Sequence, residues 1–337
     1  MMKTKALVWD QVDKAQIPLG RLIEEYLLVC RTEGKTPKTL RGYREKLRRF
    51  CRWLNGNLGD FTLQAVRAYV GELQGARKYE GHPYSPVQDA GLSSLTIKGH
   101  AVVLKGFATW LYEEEYTDQN VLDRLKPPKA ARKVITTLSE AEVSKILSSI
   151  ERGTLIGHRN EAIVLLLLDT GLRCAELVGL RTDDLFLQDQ CLKVMGKGQK
   201  ERIVPFGDRT ARALLRYLNL KPQVDGCDKV FLNRDGGPLT ENAVKMLFER
   251  LATKAGIPRL HIHLLRHTMA TNYLVSGENP IKLQRILGHE TLEMTRRYVD
   301  MVAVQLAVTE SSQSPVDRMH LKYSKNPKQG TRAPLGV

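Results

Sequence analysis

The chain has 337 residues, of which 42% are hydrophobic and 26% charged, a globular balance at a length that suits about two domains. No apolar run approaches the ~20 residues of a membrane span, and no apolar leader opens the chain, so neither a membrane-spanning nor a secreted protein is expected. A net charge of +15 and a pI near 9.6 call for a polyanionic partner, nucleic acid ahead of a membrane surface. The five cysteines, Cys30, Cys51, Cys174, Cys191 and Cys227, are odd in number and lack C-x-x-C spacing. A disulfide framework or zinc site is therefore not expected, and a cytoplasmic protein is.

In chain order, Ile17 to Cys30 carries apolar residues at helical spacing. Leu40, Tyr43, Leu47, Phe50 and Leu54 step by three and four, predicting an amphipathic helix. Its other face carries Lys38, Arg41, Arg44, Arg48 and Arg52, and Lys35 to Arg52 holds eight basic residues against one acid, Glu45. Such a run is usually a solvated face, but a stripe this one-signed repels itself and favours contact with DNA phosphates. Thr39–Leu54 has an ungapped echo in Thr96–Leu111, matching Thr, Gly, Leu, Phe, Trp and Leu, which implies two helices offering the same face to a small bundle. Residues 74–94, rich in Gly, Pro, Tyr and Ser, read as a long loop.

Residues 126–137, with adjacent prolines and four basic residues, read as a linker. This divides the chain into a helical unit over 1–125, the linker, a mixed unit over 138–305, and a basic, loosely ordered tail over 306–337. Ser139-Glu-Ala-Glu142 is a capping box that opens a helix. A buried helix over Glu161–Leu168 ends at Thr170-Gly171, and another follows from Cys174 to about Leu180. Short strands are expected at Leu185–Leu187, Cys191–Met195 and Glu201–Pro205, with Gly196-Lys197-Gly198 turning between the last two. Asn233–Gly237 is a turn, and further helices start near Thr240, His263, Pro280 and Thr291. The fold class is mainly α with a small antiparallel sheet in the second unit.

Five segments carry chemically apt residues. Arg173, in Thr170-Gly-Leu-Arg-Cys-Ala-Glu-Leu177, follows a helix-ending glycine and opens a helix, where N–H groups and a guanidinium can converge on a phosphate. Gly196-Lys-Gly-Gln-Lys-Glu-Arg-Ile-Val-Pro205 puts Lys197, Lys200 and Arg202 on or near a strand turn, which alone would be an exposed hairpin. His263 and Arg266, three apart, share a helix face. His261 and His267 lie nearby, but without acidic or thiol ligands no metal is expected. His289 follows Leu287-Gly288, and Tyr298 comes nine residues later in Thr295-Arg-Arg-Tyr-Val. Each alone has a plain structural reading.

Together, and in this order, T-G-L-R-x-x-E-L, G-K-G-x-K-x-R-x-V-P, H-x-L-R-H-T-x-A-T, L-G-H and the tyrosine closely resemble the tyrosine recombinase, or phage integrase, family over about residues 136–300. The T-x-x-x-Y…L-x-x-F-x-x-W-L helix resembles that family's core-binding domain less specifically. The resemblance implies a two-domain clamp around DNA. Tyr298 would be the nucleophile, Arg173 and Arg266 the phosphate clamp, His263 the base-side partner and Lys197 the general acid. His289 would bind the scissile phosphate, and Glu176 would orient its neighbours. It implies no cofactor, and no nucleotide-binding G-x-x-x-x-G-K-[ST] loop occurs. Expected partners are duplex core sites, a second copy on each site and a tetramer in synapsis, with an accessory or partner recombinase possible and nucleoid association. With about sixteen residues before the first helix, no arm-binding domain is expected, which favours an Xer-like or transposon-resolvase-like enzyme. A residue run from Asp300 to Val308 is equally suited to packing on its own domain or on a neighbouring protomer. A type IB topoisomerase, a telomere resolvase and a non-catalytic DNA-binding protein remain alternatives.

Overall fold

The computed structural model describes residues 13–78, 87–129, 136–196 and 201–309. The chain divides into two compact units, Met1–Lys133 and Val134–Val337.

The first unit is built on four helices, α1 (Leu19–Thr32), α2 (Pro37–Leu54), α3 (Leu63–Gly75) and α4 (Ser94–Glu113). Thr36, Thr62 and Ser93 cap the last three, each hydroxyl accepting the N–H of the residue three positions on. Pro37 at the first turn of α2 fits because its missing N–H would have had no partner there. The two echoing segments are α2 and α4. Leu47 and Phe50 of one, and Leu104, Phe107 and Leu111 of the other, are buried in a common core with Leu22, Ile23 and Tyr69. On the basic face of α2, Lys38, Arg41, Arg48 and Arg52 are exposed and Arg44 is half-buried. Arg44 and Arg48 reach Glu24 of α1 at 3.3 and 2.9 Å. The stripe is thus partly balanced by an acid outside its own helix.

Residues 74–94 are not all loop. Arg77–Lys78 (β1) pairs antiparallel with Gln88–Gly91 (β2). These strands are exposed on both faces, so they carry no apolar alternation to reveal them. Residues 79–86 lie outside the described residues, as do 130–135 of the expected linker.

The second unit begins with α5 (Glu140–Ser148), opened by the Ser139/Glu142 capping box. Next come α6 (Leu155–Thr170) and α7 (Cys174–Gly179). Ala162 to Leu167 of α6 are buried without a break, forming the centre of the core. Strands β3 (Leu185–Phe186), β4 (Cys191–Met195) and β5 (Glu201–Pro205) form an antiparallel sheet in sequence order, with Val194 opposite Arg202 and Met195 opposite Glu201. The remaining helices are α8 (Asp208–Leu220), α9 (Glu241–Ala255), α10 (Ile262–Val275), α11 (Pro280–Leu287) and α12 (Leu292–Thr309).

Helix α12 packs on α10 and α11. Its Val302 is buried with Met269, Leu274, Leu283, Leu287 and Tyr298, all of its own unit. Residues 306–309, expected to open a loose tail, continue this helix. The tail beyond them, 310–337, lies outside the described residues.

Candidate active site

Two left-handed glycines shape the site. Gly171 ends α6 at φ +60°, and Gly288 ends α11 at φ +60°, a conformation that glycine adopts without Cβ strain. The two ends meet: a Cβ on Gly171 would lie 2.8 Å from Leu287 Cδ2, and one on Gly288 would lie 3.0 Å from Arg202 Nη1. Sharp turns there send Arg173 into α7 and His289 out of α11.

Three guanidiniums converge on the C-terminal end of α11. Arg202 Nε donates to the Ile286 carbonyl at 2.8 Å, Arg266 Nη2 to Leu287 at 2.8 Å, and Arg173 Nη2 to Gly288 at 3.1 Å. These consecutive carbonyls are the acceptors a helix leaves unsatisfied at its end, at the negative pole of its dipole. Arg266 also donates from Nη1 to the Gly171 carbonyl at 2.5 Å, which ties the ends of α6 and α11 together. Burial pulls the Arg266 guanidinium down to about 10, so it stays charged at neutral pH.

Glu176 is the acid in this cluster. Its carboxylate accepts from the Arg173 backbone N–H at 2.8 Å and Nη1 at 2.9 Å, and from Arg202 Nη1 and Nη2 at 3.0 and 2.8 Å. Burial pushes its pKa up, but the hydrogen bonds from Arg202 and Arg173 outweigh that and hold it below the usual carboxylate range.

His289 is half-buried, with Nε2 at 3.0 Å from Arg266 Nη2 and Nδ1 at 2.8 Å from Thr295 Oγ1. An arginine has no acceptor, so Nε2 must accept and the proton sits on Nδ1, donated to the Thr295 hydroxyl. The ring is neutral: burial, then the charges of Arg266, Arg173 and Arg202, pull its pKa down to about 4. Tyr298, 6% exposed, lies on α12 between two imidazoles. The His289 ring is parallel to it at 6.2 Å, and the His267 ring is inclined at 5.5 Å.

A cavity of about 470 Å³ opens onto this cluster, lined by Arg173, Ala175, Glu176, Met195, Gly196, Gly288, Glu290 and Met294. A larger one, about 680 Å³, lies in the first unit beside Arg67, Gln74 and Arg124 and holds none of these groups.

The structure therefore brings together Arg173, Glu176, Arg266, His289 and Tyr298. His263 sits one turn before Arg266 on the exposed side of α10. Lys197 and Lys200 lie outside the described residues. Arg202, expected to contact DNA, instead turns inward: its side chain is 12% exposed and its guanidinium holds Glu176 and α11. The strand pattern of β5 places Arg202 on the inner side of the sheet edge, but only the arrival of α11 supplies its carbonyl partner. Sequence reasoning passed over Thr295 and His267. Thr295 precedes Tyr298 by three, so helical spacing puts both on one face; His267 stands inside the H-x-L-R-H-T-x-A-T motif with no role of its own assigned.

Residues 136–303 match the model of the phage integrase family. The tyrosine recombinase XerC of Bacillus pumilus (strain SAFR-032) is 33% identical over 88% of this chain and 96% of its own length. The tyrosine recombinase XerD of Corynebacterium glutamicum is 32% identical over 81% of this chain and 90% of its own. The chain belongs to the phage integrase family of tyrosine recombinases. Its fold is similar to that of the XerH site-specific recombinase bound to a palindromic difH substrate, with a TM-score of 0.66 and 22% identity over 89% of this chain and 91% of that one. The enzyme is thus an Xer-like site-specific tyrosine recombinase. Among its described residues no helix is long and apolar enough to cross a membrane.

Proposed function

We propose that this recombinase cleaves and rejoins duplex DNA at short core sites through a 3′-phosphotyrosine at Tyr298. The observation that carries the reading is the charge of the site. Arg173, Arg202 and Arg266 set against the single carboxylate of Glu176 leave a formal +2, and His289 is neutral. A phosphodiester carries one negative charge and its pentacoordinate transition state carries two, so this preorganised excess favours the transition state over the ground state.

In the proposed reaction the Tyr298 phenolate oxygen attacks phosphorus, with His263 on the base side. The bond from phosphorus to the 5′ oxygen breaks, and that oxygen leaves as a hydroxyl with a proton from Lys197. Arg173, Arg266 and His289 hold the non-bridging oxygens. Attack by the 5′-hydroxyl of a partner duplex reverses the chemistry and completes the exchange, and the covalent link conserves the bond energy, so no nucleotide is consumed. The exposed Lys38, Arg41 and Arg52 of α2 supply phosphate contacts in the first unit; Lys200 is assigned the same role. Two protomers on each duplex and a tetramer at synapsis, in the cytoplasm on the nucleoid, complete the reading. The full-length likeness to Xer enzymes supports recombination over relaxation by a type IB topoisomerase or hairpin formation by a telomere resolvase.

The test begins by selecting a binding site from a random duplex pool. On a nicked suicide version of that site the wild type should accumulate a covalent 3′-adduct. Tyr298→Phe should form none while binding the site with near wild-type affinity. An adduct formed by Tyr298→Phe would overturn the assignment.

A further inference from the structure

Glu176 stands between two arginines and binds them unequally. From Arg202 it accepts two hydrogen bonds, Nη1 to Oε1 at 3.0 Å and Nη2 to Oε2 at 2.8 Å. From the Arg173 guanidinium it accepts one, Nη1 to Oε1 at 2.9 Å. Arg202 is aimed from behind by the Ile286 carbonyl, which accepts from its Nε at 2.8 Å. Arg173 and Glu176 line the active-site cavity, whereas Arg202 is not among the lining residues. The side chain of Arg173 is 35% exposed and that of Arg202 only 12%, so Arg173 is the arginine that a ligand in the cavity can meet. Among the described residues the Arg173 guanidinium gives one N–H to Glu176 and one to the Gly288 carbonyl, and the rest of its donors are kept for a ligand.

The local sequence alone would not keep them. Glu176 follows Arg173 by three and is already in contact with it, and a guanidinium beside a carboxylate favours the two-bond, fork-to-fork pair. That pair would use up the edge of Arg173 that a phosphate needs and would cancel its charge there. We propose that Arg202 is a positioning residue for Arg173. By occupying both oxygens of Glu176 it prevents this carboxylate from capturing Arg173, and so keeps an oriented, charged guanidinium for the phosphate. The proposal rests on the reading of Arg173 as a phosphate ligand. Two other roles would leave Arg202 in the same place: adding its own charge to the field independently of Arg173, or neutralising a buried carboxylate for stability alone. Each predicts a different pattern of losses.

Single-turnover cleavage of the selected, nicked site at saturating enzyme separates the three. Arg173→Ala should be slow; cleavage by that variant at the wild-type rate refutes the reading of Arg173 itself. Given that control, Arg202→Met should lose about 100-fold, the scale of one donor withdrawn from a transition state. Removing the captor should return part of this: Arg202→Met combined with Glu176→Gln should cleave about 10-fold faster than Arg202→Met alone, the two sites being coupled. In an Arg173→Ala background, Arg202→Met should cost no more than a few-fold further. A double variant no faster than Arg202→Met, or losses that multiply with Arg173→Ala, overturns the proposal. A purely structural role is read on a scissile methylphosphonate, in which a methyl group replaces one non-bridging oxygen and removes the negative charge. There Arg202→Met should come within a few-fold of wild type; equal loss on phosphate and methylphosphonate also overturns the proposal. Both substrates are cleaved by one preparation, so a partly unfolded fraction cancels in the ratio. Should Arg202→Met fail to fold, Arg202→Lys, which keeps the charge but has no fork, carries the same comparisons.

Discussion

Replacing Thr295 by valine tests how His289 is held. Thr295 is fully buried, and its hydroxyl lies 2.8 Å from His289 Nδ1. Valine keeps the shape and removes only that oxygen. A hydroxyl can accept from Nδ1–H, as it does while Nε2 accepts from Arg266, or donate to a bare Nδ1. The second arrangement puts the proton on Nε2, where a scissile phosphate oxygen could receive it. Thr295 therefore satisfies both tautomers, whereas valine satisfies neither. Leaving a partly buried imidazole nitrogen unpaired costs about 1–3 kcal/mol, or about 5- to 150-fold at ~1.4 kcal/mol per tenfold. Thr295→Val should slow single-turnover cleavage by a factor in that range, while urea denaturation shows a stability loss of about 1–3 kcal/mol, that of one partner left unpaired. Thr295→Ser, which keeps the hydroxyl, should cleave within a few-fold of wild type. Cleavage by Thr295→Val at the wild-type rate, or equal slowing by serine and valine, refutes the reasoning.

Other parts of the molecule give sharp outcomes as well. Gly171→Ala must place a side chain at φ +60° with its Cβ 2.8 Å from Leu287 Cδ2, so thermal unfolding should show a loss of about 1–3 kcal/mol, and cleavage should fall because the Gly171 carbonyl anchors Arg266; an unchanged Tm contradicts this. His289 is held neutral down to about pH 4, against 6.5 for an ordinary imidazole, so the unfolded chain binds a proton that the folded chain refuses, and stability present above pH 6.5 should be lost as pH falls toward 4. The lowered carboxylates Glu24, Glu142 and Glu176 give up stability only below the ordinary carboxylate value of 4.5, so the drop in urea midpoint from pH 7 to pH 5 should be smaller in His289→Gln than in wild type; an equal drop counts against the half-buried neutral imidazole. Glu24→Gln frees Arg44 and Arg48 from their ion pairs, so binding to the selected duplex should tighten and its salt dependence steepen by about one to two phosphate contacts; unchanged affinity and slope would remove α2 from the DNA interface.

Arg173 and Glu176, two of the residues proposed to carry chemistry, sit beside a structural signal that the chain itself displays. Arg173 follows a glycine stop and precedes a carboxylate three residues on, and both the stop and the Glu176 cap are local events. Helices α2 and α4 announced themselves by shared apolar spacing. What stayed hidden depends on tertiary meetings. Arg202 looked like a cation on a hairpin because nothing near it in sequence says that the end of α11 arrives from residues 286–288 to meet it. Glu24 balances α2 from another helix. The strands β1 and β2 bury neither face, so hydrophobic periodicity had nothing to report.

Why three arginines gather on one helix end also bears on function. Like charges this close must be held by acceptors, and carboxylates would hold them most strongly. One carboxylate for each arginine, however, would cancel the field that draws in a phosphate. The carbonyls of Ile286, Leu287 and Gly288 occupy one direction of each guanidinium, while the helix end supplies only about half a negative charge in total. The donors are oriented, yet most of the positive potential survives. Glu176 adds a full charge only where orientation matters most, between Arg173 and Arg202. In the proposed reaction the fold thus orients the three guanidiniums before DNA arrives, which would leave little reorganisation for the chemical step to bear.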